Sequence, residues 1–186
     1  MTETYMAAGF APNEYQAAIL DLVGDDDPAA IQTAAPGEWR RLLAEAGPDV
    51  ATRPDAGEWS VLELLGHAVD SELVAAWRYR MALAEDRPDI VPYDQDLWAG
   101  RFHAAGGPEA DPAQLLAVFE ALRAYDLALW DGTSDTDRRR IGLHRERGPE
   151  SMGLQFVLIA GHDRFHAAQA RRTLNAIRTG TGRNGR

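Results

Sequence analysis

Cysteine is missing from all 186 residues of the chain. That excludes disulfides, a cysteine nucleophile and thiolate-rich zinc or iron–sulfur sites, so any thiol chemistry must take its sulfur from another molecule. Lysine is missing too, since all 19 basic side chains are arginine, and with it go Schiff-base catalysis and covalent attachment of pyridoxal phosphate. No apolar run approaches the roughly 18 residues of a membrane span, and the N-terminus has no basic segment leading into an apolar core. A cytoplasmic protein is the reading. A strongly basic field is also absent. The formal charge is −10, with 14 acidic and 3 basic side chains in residues 1–76 against 15 and 16 in residues 77–186. Neither half suits a nucleic-acid partner. The local arginine cluster of Arg138, Arg139, Arg140, Arg145 and Arg147 reads as a solvated loop, with an anion site as the alternative.

What is present is helical. With 45% hydrophobic residues the chain can bury one sizeable core. Tyr15 to Val23 is a short amphipathic segment, Asp27-Pro28 pairs an N-cap with proline at the first helical position, and Glu38 to Ala46 follows a break at Pro36-Gly37. Ser60-Val61-Leu62-Glu63 is a capping box opening a long helix to about Glu85. Residues 87–93 are a loop, residues 94–104 a short helix, and Asp111-Pro112 starts a long helix through Trp130. An arginine-rich connection covers 131–149, and a last long helix extends from Glu150 to Ile177. No alternating strand pattern of useful length occurs, so the fold class is all-α, a helical bundle. The expected organisation is helical segments in 1–50 packed on a bundle of 51–178, with a disordered tail at 179–186.

Three histidines stand out. His162 and His166, in His162-Asp163-Arg164-Phe165-His166, lie about 40° apart around a helix and about 6 Å apart along it, so both imidazoles can reach one divalent ion. Gln155, Leu158, Ile159 and Gln169 share their inward face. His67 sits on the other regular helix and could supply a third ligand. Three neutral nitrogens leave coordination positions open, as in a catalytic site. The spacing alone is equally compatible with two core histidines held by other partners. Glu63 and Asp70 flank His67 by one turn and suit the orientation of its free N–H, although Glu63 also completes the capping box and Asp70 can face water. Arg78 could meet an anionic substrate group or form an ion pair. His103 and His144 read as surface residues, although His144, near the arginine cluster, could approach the site mouth. Trp39, Trp59, Trp77, Trp98 and Trp130 read as core and interface anchors rather than a substrate cage, Trp59 as a hydrophobic staple.

Four segments together resemble the DinB family of DinB/YfiT-like metalloenzymes, which is unrelated to the DNA polymerase of that name. They are Trp-Ser-Val-Leu-Glu-Leu-Leu-Gly-His at 59–67, Pro-Tyr-Asp-Gln-Asp-Leu-Trp at 92–98, Arg-Gly-Pro-Glu-Ser at 147–151 and His-Asp-Arg-Phe-His-Ala-Ala-Gln at 162–169. The resemblance spans about residues 50–178. It implies a four-helix bundle, commonly a homodimer, with zinc or nickel held by His67, His162 and His166. It also implies a thiol-dependent S-transferase or isomerase, in which a metal-bound thiolate from bacillithiol, mycothiol or glutathione attacks an electrophilic substrate. Asp94, Asp96, Arg78 and Gln169 are then candidates to orient thiol or substrate. Two other readings stand beside it. One is a metal-dependent hydrolase, for which the His-Asp-Arg-Phe-His helix lacks the zincin glutamate and Asp94 would have to be the base. The other is a damage-inducible dimer that binds metal or ligand without turnover.

Overall fold

The structure, a computed structural model, describes residues 11–180. Of the tail expected to be disordered at 179–186, residues 181–186 lie outside them, while Thr179 ends the last helix and Gly180 caps it. Four long helices form the bundle: α2 (Pro28–Ala46), α3 (Val61–Ala84), α5 (Pro112–Asp131) and α7 (Met152–Thr179), with a short α1 (Glu14–Val23) laid against α7. Helix starts follow the capping residues. Asn13 and Ser60 close capping boxes with Gln16 and Glu63, and Asp27 and Asp111 cap helices that begin on proline.

Two sequence expectations change. Helix α2 continues through Pro36-Gly37, although an internal proline removes one backbone hydrogen bond at a cost of about 3 kcal/mol. Side chains on both sides of the proline explain this. Ala35, Trp39 and Leu42 are buried on one stripe, and burying a large apolar side chain is worth about 1.5–3 kcal/mol. The same stripe packs α2 along α7 and α5, so residues 28–46 form one wall of the bundle. The second change is a small three-stranded sheet, of β1 (Asp89–Ile90), β2 (Ile141–His144) and β3 (Gly148–Ser151), where loops and, at Glu150 and Ser151, the start of the last helix were expected. β1 pairs parallel with β2, and β2 pairs antiparallel with β3, His144 opposite Gly148. Strands this short carry too few alternations to register in the sequence. The arginine-rich connection also holds the single helical turn α6 (Asp135–Arg138), and α4 (Gln95–Trp98) leads into a π-helical turn at Ala99–His103.

Apolar residues form two clusters with a polar band between them. One surrounds Trp39, Leu42, Leu64, Leu65 and Phe119; the other surrounds Ile19, Tyr79, Trp130, Met152 and Phe156, where the Trp130 and Phe156 rings stack at 3.9 Å. Between them Arg123 of α5 donates from Nε and Nη2 to Glu72 of α3, and from Nη1 and Nη2 to Asp163 of α7. Through Arg123 the band links α3 and α7, the two helices that carry the histidines.

Candidate metal centre

His67 comes from α3, and His162 and His166 from successive turns of α7. One ligand nitrogen from each lies within 4.8 Å of the other two. The ring centroids are 4.2 Å apart for His162 and His166, 4.6 Å for His67 and His166, and 5.0 Å for His67 and His162. The Nε2 atoms of His67 and His162 are 3.0 Å apart. Two nitrogens bound tetrahedrally to one zinc ion lie about 3.3 Å apart, so only a small opening of this pair is needed.

Burial sets the protonation of the cluster. It pushes the pKa of His67 down to about 3, with the nearby His166 and His103 adding to the effect. His166 goes down to about 4, again by burial, partly offset by its bond to Gln169. His162 is held well below its ordinary value by burial and then by the other two imidazoles. All three are neutral at pH 7, the form that ligates a metal.

Neighbours fix which nitrogen faces inward. Nδ1 of His166 is 3.0 Å from Oε1 of Gln169, and a carbonyl oxygen only accepts, so the proton sits on Nδ1 and the Nε2 lone pair is free. Nδ1 of His67 is 3.4 Å from the hydroxyl of Tyr93, which in turn lies 3.1 Å from Oγ of Ser71. Burial raises the Tyr93 pKa to about 12, so it remains a phenol and can accept from His67 while donating to Ser71. Trp59 covers the other side, with its ring 5.1 Å from that of His67 and stacked at 6.4 Å on His166.

The remaining sequence candidates are dispersed by the fold. Gln169 reaches the cluster through His166. Arg78 lines a cavity of about 420 Å³ that His67 and His162 also line. Asp94 caps α4 by accepting from the Leu97 N–H and stands exposed, while Asp96 lines a neighbouring cleft with Trp59, His166 and Gln169. Glu63 is taken up by the capping box and by Arg53. Asp70 faces neither water nor His67. It is buried and accepts from Nε2 of His103 at 2.9 Å. His103 and His144, expected at the surface, are both buried, His103 against Gly66 one residue before His67 and His144 inside the small sheet. Asp163 points away from the cluster to Arg123. Sequence reasoning missed Tyr93, and the role of Trp59 as a wall of the site; both belong to the segments that carry the family resemblance.

A family model for the DinB superfamily matches residues 28–170. The chain belongs to the DinB superfamily. Its match begins at α2, in agreement with the place of that helix in the bundle. An Oceanobacillus iheyensis protein whose name proposes a metal-dependent hydrolase is 32% identical over 113 residues, 61% of this chain and 63% of that protein. A Bacillus licheniformis protein named in the same way is 28% identical, covering 72% of this chain and 76% of the relative. The chain therefore spans just under two thirds of the Oceanobacillus relative. Among solved structures, YfiT from Bacillus subtilis aligns with a TM-score of 0.71 at 20% identity, over 95% of this chain and 94% of that one. YfiT is described as having an unusual four-helix bundle topology and is proposed there to be a metal-dependent hydrolase. The likeness shows that this DinB-superfamily chain has the same bundle fold. No helix among the described residues is long and apolar enough to cross a membrane.

Proposed function

We propose that the chain is a metal-dependent enzyme in which His67, His162 and His166 hold one divalent ion. The observation that carries this is the convergence of three neutral imidazole nitrogens within 4.8 Å, beside a cavity. The donor set fits a borderline ion such as zinc or nickel. Bound there, the ion would supply a lowered pKa to a thiol or water and polarise an electrophile. Gln169 and Tyr93 orient two of the imidazoles, and Trp59 shields them from water.

For the reaction we favour transfer of a low-molecular-weight thiol such as bacillithiol or mycothiol to an electrophilic substrate. Among the described residues, the carboxylate lining the cavity belongs to Glu146, on its exposed rim. A thiol that gives up its proton readily needs no buried carboxylate base. Hydrolysis is the second reading, favoured by the names of the Oceanobacillus and Bacillus relatives. A cytoplasmic homodimer is part of the same proposal, suggested by the family resemblance. Elemental analysis of untagged wild type and of His162→Ala/His166→Ala tests the metal. About one divalent ion per chain, lost in the variant, is expected; wild type that stays metal-free after incubation with zinc, nickel and manganese would refute the proposal. Consumption of a model electrophile with thiol present and absent then separates transfer from hydrolysis.

A further inference from the structure

The cavity beside the histidines carries polar groups that the fold leaves unused. Nε of Arg78, Nε2 of His144, and both Nε2 and Oε1 of Gln155 are buried and have no hydrogen-bond partner among the described residues, and all three side chains line this cavity. His144 is 2% exposed and Gln155 5%. Buried polar atoms without partners are costly, and when several converge on one cavity a ligand is the natural source of the missing partners.

Their chemistry can be assigned. The backbone N–H groups of Glu146 and Arg147 both donate to Nδ1 of His144, at 3.2 Å each, so that nitrogen holds the lone pair. Burial, reinforced by the Arg147 charge, brings the His144 pKa down to about 4. The neutral ring then carries its proton on Nε2, as a donor. Arg78 adds a guanidinium whose Nη2 donates to the neutral carbonyl of Val91 at 3.2 Å and which has no direct ion pair among the described residues, since the nearby Glu150, whose charge it feels, is bonded by Arg147 and Gln16. Arg147, by contrast, is matched by Glu150. Gln155 offers one donor and one acceptor. The cavity wall thus presents a cation, a neutral N–H and an amide, and its own carboxylate, Glu146, is exposed.

We infer that this cavity captures a small molecule by a carboxylate, held by Arg78, His144 Nε2–H and the Gln155 N–H, with an adjacent ligand O–H or N–H donating to Gln155 Oε1. That description fits a 2-hydroxy or 2-amino acid headgroup. The capture site stands on its own residues. That the captured molecule is the substrate rests on the metal-enzyme reading above, because the same cavity opens onto His67 and His162.

The test is an NMR titration of protein labelled with ¹⁵N in the histidine rings, using acetate, glycolate and acetamide as probes. Acetate and glycolate are expected to bind saturably and move the His144 Nε2 resonance, glycolate more tightly, while acetamide at the same concentration does neither. Arg78→Gln should weaken both acids by about tenfold or more, as loss of a charged hydrogen bond predicts, and Arg172→Gln, an exposed arginine of the neighbouring cleft, should not. Gln155→Leu should erase the advantage of glycolate over acetate, and it answers the question if Arg78→Gln fails to fold. An equal response to acetamide, no saturable shift at His144, or unchanged binding in both variants would overturn the inference. Repeating the titration on His162→Ala/His166→Ala separates the two proposals. Carboxylate binding that persists there supports the capture site whatever the metal content. Absence of binding in wild type and variant alike overturns it even if metal is present.

Discussion

Replacing Arg123 by methionine tests whether the polar band between the two apolar clusters holds the bundle together. Arg123 is 1% exposed, and its guanidinium makes four hydrogen bonds of 2.6–3.1 Å, two to Glu72 and two to Asp163, themselves 2% and 7% exposed. Methionine keeps much of the volume but leaves two carboxylates buried without a counter-charge, and breaking a buried pair in this way costs about 3–5 kcal/mol. In a chain of this length each kcal/mol lowers the melting temperature by about 2–4 °C, so a fall of roughly 6–20 °C is expected. The loss should depend on pH. Burial already pushes the pKa of Glu72 and Asp163 upward, against the attraction of Arg123. Without that attraction both rise further above their unfolded values. At these two sites the folded variant then holds protons more tightly than the unfolded chain, so their contribution to stability is fully present below the unfolded pKa values and is lost as pH rises through the folded ones. Urea denaturation followed by circular dichroism at pH 5 and pH 8 measures this, and the deficit relative to wild type should be smaller at pH 5. Glu72→Leu/Arg123→Met/Asp163→Leu should recover most of the loss, since an apolar core can replace a buried ion cluster. A deficit below about 1 kcal/mol, or one equal at both pH values, would refute the reasoning.

Three further outcomes are expected. Gln169→Leu removes the acceptor that fixes the His166 tautomer and should lower zinc affinity about 10–100-fold with little change in melting temperature, measured by competition with a chromophoric chelator. Zinc binding at pH 5.5 should release almost no protons, because burial keeps the His67 and His166 pKa values at about 3 and 4; calorimetry in two buffers of different ionisation heat reads this, and release of two or more protons would contradict it. The same shifts make the metal-free fold lose stability as pH drops from about 6.5 towards 3, because the unfolded chain takes up protons first. Gly161→Ala places a methyl carbon 2.2 Å from the backbone oxygen of Ile19, so α1 must move off α7. A loss of about 1–3 kcal/mol or more is expected by thermal melting, whereas Gly57→Ala, with nothing within 4 Å, should be neutral.

The sequence by itself determined the helices and the histidine ligand candidates. Capping pairs such as Ser60 with Glu63, and proline at the first helical position of α2 and α5, depend on residues a few positions apart, and that short range is what a sequence displays. The spacing of His162 and His166 is local in the same sense. Only the tertiary structure decided that His67 meets that pair from a helix about a hundred positions earlier. It also decided that Asp70 turns to His103 rather than to His67, that Asp163 faces Arg123, and that Trp59 and Tyr93 close over the cluster. Each of these follows from which face of one helix packs on another, a long-range choice made by summed apolar burial that no single motif encodes. Continuity of α2 through Pro36 has the same origin. The local penalty is legible in the residue, while the buried stripe of Ala35, Trp39 and Leu42 that outweighs it acquires its value only when α5 and α7 are in place.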